Sequence, residues 1–150
     1  MNELDIAKKL VSYIERRDWE SARNLLSSDY TFSGPVPEPI NAAGWLGLHE
    51  KLGAAFPDWA FNPSDMRVEG DVVHATMHIT GTHSGELDLS NLGLPKISAT
   101  GKKIKLPPEM AEIRIEGGKV RNFRTTPNPD AGVSGILKQL GVAIPERPVA

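Results

Sequence analysis

The sequence contains no cysteine, and this absence excludes several kinds of chemistry. Disulfide bonds, thiol nucleophiles and thiolate metal sites all require a cysteine sulfur. Histidine nitrogens remain as metal ligands, but no pair of histidines has the helical ligand spacing followed by a suitable carboxylate. The four histidines are His49, His74, His78 and His83. We therefore expect that the protein binds no metal.

Long apolar runs and an excess of one charge are also lacking. The formal net charge is -2, which gives no electrostatic reason to expect a nucleic-acid partner. The short basic cluster Lys102, Lys103 and Lys105 is typical of a solvated strand or turn edge. No run approaches the length that spans a membrane, and the N-terminus MNELDIAKKL is charged where a secretory signal requires an apolar core. We therefore expect a cytoplasmic protein without a membrane partner.

The length and composition predict a single domain over residues 1–150. A chain of 150 residues with 39% hydrophobic and 24% charged residues has the size and balance of one soluble core. In its first part, apolar residues recur every three or four positions, which predicts helices. The predicted elements are a helix over 2–17, a second helix capped by Asp18, a short strand Tyr30–Ser33, a proline-rich loop, and a third helix from the N-cap Asn41 to Phe56.

After the third helix the hydrophobic pattern changes to period two, which predicts strands joined by hairpins. The predicted strands are Ser64–Glu69, Val72–Thr82, Lys102–Leu106, Glu109–Glu116 and Val120–Thr125, followed by a helix over Val133–Leu140. The leucine-bearing segment 85–99 is predicted to be a lid or interface loop, since leucines in a loop need a surface to cover. Helices followed by antiparallel hairpins indicate an α+β fold in which a curved sheet packs on helices.

The strand Val72–Thr82 also places a titratable group on its apolar face. Val73, Ala75, Met77 and Ile79 alternate with polar residues, and the same row extended past Gly81 reaches His83. A histidine that points into an apolar space is either part of a site or a core residue with a hydrogen-bond partner. Both readings remain open. The opposite face lacks charge, and we predict that it forms a homodimer interface; its residues are His74, Thr76, His78 and Thr80.

Several short motifs between Asp18 and Val142, taken in order, carry a resemblance to a known family. They are Asp18-Trp19-Glu20, Ala55-Phe56-Pro57-Asp58, Gly70-Asp71-Val72-Val73, Gly81-Thr82-His83-Ser84-Gly85, Ala99-Thr100-Gly101-Lys102, Gly118-Lys119-Val120 and Gln139-Leu140-Gly141. In this order the chain resembles the SnoaL-like polyketide cyclases (ester cyclases) of the nuclear transport factor 2-like superfamily. The resemblance implies a cone-shaped α+β barrel, in which a curved mixed or antiparallel sheet wraps around three helices and a short C-terminal helix follows.

The resemblance also implies a reaction, namely an aldol-type ring closure that uses neither metal nor cofactor. A buried carboxylate removes a proton next to a carbonyl group, and polar groups of the pocket hold the developing oxyanion. His83 stands at the family's Gly-Thr-His position and is expected to be either the hydrogen-bond donor to this oxyanion or a residue that shapes the pocket. The family's acid position falls on Asn128, which cannot abstract a proton, so the nearby Asp130 is the candidate base. The alternative for Asp130 is that it caps the last helix.

The remaining candidate residues are those expected to bind a substrate. Asn122 and Arg124 share a predicted face of the last strand with Val120. An inward Arg124 favours an anionic ligand, unless it pairs with Glu112 or Glu109 across the sheet. Aromatic and apolar residues are expected to line the walls of a pocket of about 300 Å³ or more, namely Tyr30, Phe32, Trp45, Phe56, Trp59 and Met110.

Three functions therefore remain at this point. The leading hypothesis is an acid–base enzyme acting on a small hydrophobic carbonyl or ester compound, with Asp130 and His83 as catalytic groups. The rival is a non-catalytic protein that binds a small molecule on the same fold, and Asn128 supports this rival. The third is a structural dimerisation module, which requires that Arg124 and His83 be used in internal hydrogen bonds and that no cavity remain.

Overall fold

The computed structural model describes residues 2–34 and 38–142. Within these ranges the helices and strands follow the predicted order closely. The helices are α1 (Glu3–Glu15), α2 (Trp19–Leu25), α3 (Ala42–Ala55) and α4 (Gly132–Leu140). The strands are β1 (Leu26–Ser33), β2 (Ile40–Asn41), β3 (Ser64–Glu69), β4 (Val72–Met77), β5 (Thr80–Thr82), β6 (Lys103–Lys105), β7 (Glu109–Glu116) and β8 (Lys119–Thr125).

Six of these strands form one mixed sheet with the order β2-β1-β8-β7-β4-β3. Every neighbouring pair is antiparallel except β1 and β8, which are parallel. The predicted strand Val72–Thr82 divides after Met77, because β5 leaves the main sheet and pairs with β6 instead. Helix α1 packs on β3, β4, β7 and β8, and α3 packs on β1. The predicted α+β class with a mixed sheet against helices is confirmed.

Local sequence signals determine where the helices begin. Asp18 caps α2, since its Oδ1 accepts a hydrogen bond of 3.2 Å from the main-chain N–H of Ser21. Asn41 caps α3 in the same way, and its Oδ1 accepts a bond of 2.9 Å from the N–H of Gly44. Both caps satisfy amides that have no partner inside their helix, as the sequence predicts.

A β-bulge in β8 decides which of its side chains reach the interior. Ile115 pairs with Val120, whereas Arg114 pairs with Asn122, so Arg121 is an extra residue in β8. One extra residue reverses the alternation of every side chain after it. Phe123 and Thr125 are therefore buried with Val120. The prediction that Val120, Asn122 and Arg124 share the inner face is wrong for the last two residues.

The loop after β5 covers the core with its leucines. Leu87, Leu89 and Leu94 are buried, and Leu87 exchanges main-chain hydrogen bonds of 2.9 Å with Ile97. The loop begins at Gly85, whose N–H donates to the carbonyl oxygen of Ala55. A Cβ atom at Gly85 would lie 2.2 Å from the carbonyl oxygen of Ala54, so only glycine allows this close approach to the end of α3.

Candidate active site

A cavity of about 70 Å³ lies between α3, α4 and the inner face of the sheet. This volume is well below the roughly 300 Å³ expected of a pocket for a drug-sized ligand. The walls are mostly apolar or aromatic. They include Phe32, Trp45, Leu48, Leu52, Trp59, Phe61, Met77, Ile79, Leu106, Phe123, Val133 and Ile136. The cavity is therefore a small hydrophobic space into which a few polar groups project.

Glu109 is the carboxyl group in the wall of this cavity. It is the first residue of β7 and lies on the buried face of that strand, with Ala111, Ile113 and Ile115. Its side chain is only 6% exposed, and its Oε1 has no hydrogen-bond partner among residues 2–34 and 38–142. Burial raises the pKa of Glu109 from 4.5 to about 7, because an ionised carboxylate is poorly solvated in an apolar cavity.

Three further buried polar atoms on the cavity residues lack a partner within the described part of the chain. They are Thr125 Oγ1, Trp45 Nε1 and Trp59 Nε1. Thr125 pairs with Ala111 across β7 and β8, and Glu109 lies two residues before Ala111 on the same face. Diagonal positions of this kind bring Cβ atoms within about 7–8 Å of each other. Leaving each such group unpaired costs about 1–3 kcal/mol, so the cavity is costly to the folded state as it stands.

His49 contributes the second titratable group of the cavity. Its Nδ1 lies 3.0 Å from the carbonyl oxygen of Trp45, and because a carbonyl can only accept, Nδ1 carries the proton and Nε2 is an acceptor. Burial lowers the pKa of His49 to about 4, and the hydrogen bond to Trp45 opposes this shift. The imidazole is therefore neutral near pH 7, and its ring packs against that of Trp45 with centroids 4.7 Å apart.

No lysine or arginine is among the residues that line the cavity within the described ranges. Glu109 and His49 are its titratable groups, and neither carries a positive charge near neutral pH. An anionic ligand would find no opposite charge to offset its loss of hydration. The cavity suits an uncharged molecule.

His83 is buried, as the alternation predicts, but it does not line the cavity. Its Nδ1 accepts a hydrogen bond of 3.2 Å from the main-chain N–H of Thr100 and lies 2.9 Å from Thr100 Oγ1. The ring packs on Phe56, with centroids 5.4 Å apart. Burial lowers the pKa of His83, and the carbonyl groups of Ile97 and Gly85 partly offset this effect. The geometry agrees with the core reading of His83, in which the imidazole holds the loop that precedes β6.

Asp130 and Asn128 lie in the turn between β8 and α4, outside the cavity lining. The side chain of Asp130 is 70% exposed and pairs with Lys138 at 2.9 Å. Asn128 Oδ1 accepts a hydrogen bond of 2.9 Å from the N–H of Asp130. Asp130 is not the cap of α4 either, because Ala131 holds that position and makes no side-chain cap bond. Asp130 therefore does not reach the cavity of Glu109 and instead borders an open surface cleft of about 440 Å³ together with Lys105 and Lys138.

Because of the bulge in β8, the side chains of Asn122 and Arg124 lie on the face of the strand opposite the cavity. Asn122 Nδ2 donates to the carbonyl oxygen and the hydroxyl of Thr31, at 3.2 and 2.9 Å. Arg124 is exposed and stands opposite Glu112 in the strand register. An anionic ligand was expected only because Arg124 was placed inside, and that reason no longer holds.

The predicted apolar wall is partly correct. Phe32, Trp45 and Trp59 line the cavity. Tyr30 and Phe56 are fully buried in the core behind it, without lining it. Met110 is 64% exposed, because it alternates with Glu109 and therefore points to the outer face of β7.

Sequence reasoning missed Glu109 and Thr125 as cavity residues. A signal for Glu109 was present, since the inner row Ala111, Ile113 and Ile115 extends two residues back to a glutamate. Glu109 was expected instead as a possible partner of Arg124 across the sheet, because Arg124 was placed on the inner face. No comparable local signal existed for Thr125, whose direction depends on the bulge at Arg121.

No helix in the described part of the chain is both long and apolar enough to cross a membrane. No three histidine, aspartate or glutamate side chains in residues 2–34 and 38–142 are grouped so that they could hold a metal ion.

Solved structures with the same architecture come from several bacteria. AclR of Streptomyces galilaeus, provisionally assigned as a hydroxylase, superposes with a TM-score of 0.73 at 22% identity, covering 93% of this chain and 95% of AclR. IdmH of Streptomyces antibioticus, provisionally assigned as a polyketide cyclase, gives 0.72 at 24% identity, covering 95% of this chain and 100% of IdmH. A protein from Jannaschia sp. CCS1, provisionally assigned as a SnoaL-like polyketide cyclase, gives 0.73 at 14% identity, covering 95% of this chain and 93% of its own.

These identities are low, so the superpositions establish the fold alone. Comparison with curated proteins gives no significant match. The sequence profile of the SnoaL-like domain matches residues 7–123, a range that contains α2, α3 and most of the sheet. Since this match spans well over half of the chain, the protein belongs to the SnoaL-like domain family.

Proposed function

We propose that the protein is a cofactor-independent acid–base enzyme of the SnoaL-like class, with Glu109 as the group that transfers the proton. Its substrate is a small hydrophobic carbonyl or ester compound, and its reaction is of the aldol type. The observation that carries this proposal is the buried carboxyl group of Glu109, which lines an apolar cavity without a partner in the described residues. Such a group destabilises the fold, and functional sites are where proteins retain such costs.

The chemistry follows from the environment of Glu109. A carboxyl group with a pKa of about 7 is present in both protonation states near neutral pH, which suits a general base that must later return its proton. The carboxylate removes a proton from the carbon next to the carbonyl group. The enolate oxygen that forms accepts hydrogen bonds from donors of the cavity, and the enolate then attacks a second carbonyl carbon. Nε2 of His49 is available to accept a hydrogen bond from a substrate hydroxyl.

Proton removal can be measured without the natural substrate. Butanone has exchangeable protons next to its carbonyl group, and their replacement by deuterium in heavy water is followed by proton nuclear magnetic resonance. We expect the protein to accelerate this exchange, with a rate that rises with pH through about 7 as Glu109 ionises. Glu109→Gln should reduce the catalysed rate roughly 100-fold or more, which is the usual contribution of a general base.

The matched control is Asp130→Asn, which removes a carboxylate of the same charge from the surface. We expect this variant to exchange protons at the wild-type rate. Loss of exchange in Asp130→Asn with retention in Glu109→Gln would contradict the proposal and return the role to Asp130.

The alternative is a non-catalytic protein that binds a small molecule in the same cavity, and Asn128 at the family's acid position favours it. The two functions separate in the same experiment. Saturable binding of butanone without accelerated exchange in the wild-type protein would identify a binding protein.

We also propose that a second copy of the chain covers the outer face of the sheet. Met110 and Thr76 are paired across β7 and β4 on this face, and the 64% exposure of Met110 leaves an apolar side chain for a partner to cover. Light scattering at micromolar concentration should give the mass of a dimer, and Met110→Lys should give that of a monomer. A wild-type monomer would refute this interface.

A further inference from the structure

We infer that the indole N–H of Trp45 is the hydrogen-bond donor that orients the oxygen of an uncharged carbonyl ligand in the cavity. The inference rests on the proposed function for the class of ligand. Trp45 selects and positions the carbonyl oxygen, whereas Glu109 transfers the proton.

The first argument is that this donor has no other use in the described part of the chain. Trp45 is 2% exposed, and its Nε1 has no hydrogen-bond partner among residues 2–34 and 38–142. A buried indole N–H usually finds an acceptor. An oxygen atom of a bound molecule would supply that acceptor.

The second argument is the position of Trp45 relative to Glu109. Trp45 lies on α3, and its ring packs 5.6 Å from that of Phe123 on β8, centroid to centroid. Phe123 and Thr125 follow each other on the inner face of β8, and Glu109 is the diagonal neighbour of Thr125 on β7. The indole therefore belongs to the helical wall of the cavity and the carboxyl group to the sheet wall. A small carbonyl compound between these walls presents its oxygen to one side and its acidic C–H to the other.

The third argument is the charge of the cavity. Its walls contain no lysine or arginine within the described residues, and an indole N–H is a neutral donor. A neutral donor suits a ketone or ester oxygen. A carboxylate would instead meet the carboxyl group of Glu109 with no cation beside it.

Trp59 is the other buried indole without a partner that lines the cavity. Its ring packs against Phe56 and Phe61, whereas the ring of Trp45 packs against Phe123 on the sheet wall. The donor is therefore assigned to Trp45, and Trp59 is the competing assignment that the test must separate from it.

The chain has three tryptophans, so its indole N–H groups give three separate signals in a nitrogen–proton correlation spectrum. Single replacements by phenylalanine assign them. Titration of the wild-type protein with butanone should move the Trp45 signal downfield in proportion to occupancy, as a new hydrogen bond requires. Trp19, which does not line the cavity, is the internal control and should stay fixed. Propanoate has the same number of non-hydrogen atoms as butanone but carries a negative charge. It should move none of the three indole signals.

Three results would overturn the inference. The first is a Trp45 signal that does not move at the highest soluble concentration of butanone. The second is a larger displacement of the Trp59 signal, and the third is binding of propanoate as strong as that of butanone.

The Glu109→Gln variant distinguishes this inference from the proposed function. It should bind butanone with an unchanged displacement of the Trp45 signal while losing deuterium exchange. Trp45→Phe, in a preparation whose thermal transition shows that it is folded, should reduce exchange tenfold or more while the pH profile set by Glu109 stays in place. Exchange that depends on Glu109 but not on Trp45 refutes the role of Trp45 and leaves the proposed function intact.

Discussion

Glu109 and Asp130 carry the same functional group in opposite environments, one in the cavity wall and the other in the turn before α4. Glu109 is buried without a partner in the described residues, and burial raises its pKa to about 7. Asp130 is 70% exposed and pairs with Lys138. The comparison shows that the elements packed over a carboxyl group, and not its proximity in sequence to a family's acid position, decide how well it is solvated.

The largest expected effect on stability comes from Glu109→Gln. The native pKa of about 7 lies above the unfolded value of 4.5, so the native state binds the proton more tightly. The stability contributed by protonated Glu109 is therefore fully present below pH 4.5, is lost as pH rises from 4.5 to about 7, and is absent above that. The shift corresponds to about 3 kcal/mol.

Glutamine carries no charge, so Glu109→Gln should not lose stability between pH 4.5 and about 7. It should be more stable than the wild type by up to about 3 kcal/mol above neutral pH and nearly equal to it in acid. Urea unfolding at several pH values measures the difference. Equal pH dependence of the two proteins would mean that Glu109 is solvated in the native state. The contrast between Glu109 and Asp130 would then not hold.

A smaller effect is expected from Thr125→Val, which replaces a buried hydroxyl without a described partner by a methyl group of similar size. Removing the unsatisfied group should stabilise the protein by about 1 kcal/mol. Thr126→Val is the matched control, because the neighbouring side chain is exposed, and it should leave the urea midpoint unchanged. A destabilised Thr125→Val protein would indicate that the hydroxyl is already satisfied.

The smallest effect is expected from Asp130→Asn. The ion pair with Lys138 is exposed on both sides, and such pairs contribute about 0–1 kcal/mol. Added salt should reduce even this difference, since exposed charges are screened. A loss of stability as large as the gain predicted for Glu109→Gln would show that the Asp130–Lys138 pair contributes far more than an exposed ion pair.

Much of the fold could be predicted because its signals are local. Asp18 and Asn41 cap their helices through amides three residues away, and the alternation from Val73 to Ile79 gives the correct buried face. The partners of these groups lie within a few positions of them in the sequence. Periodicity and capping rules therefore suffice.

The site depended on information that no local window contains. The inward direction of His83 was predicted correctly, but its partner Thr100 lies 17 positions away, across a loop with no regular pattern. The faces of Asn122 and Arg124 were assigned by counting twos through a strand that has one extra residue. Whether a carboxyl group is solvated likewise depends on the elements packed over it, as the contrast between Glu109 and Asp130 demonstrates.

The bulge at Arg121 has a consequence for the charge of the chamber beside β8. Deletion of that one codon would join Val120 directly to Asn122, so β8 would alternate strictly with Phe123 and Thr125 still on its inner face. A straight strand that kept Arg121 would instead turn Phe123 and Thr125 outward and bring the guanidinium of Arg124 to the inner side. The single extra residue therefore keeps a positive charge out of a chamber that is otherwise neutral in the described part of the chain.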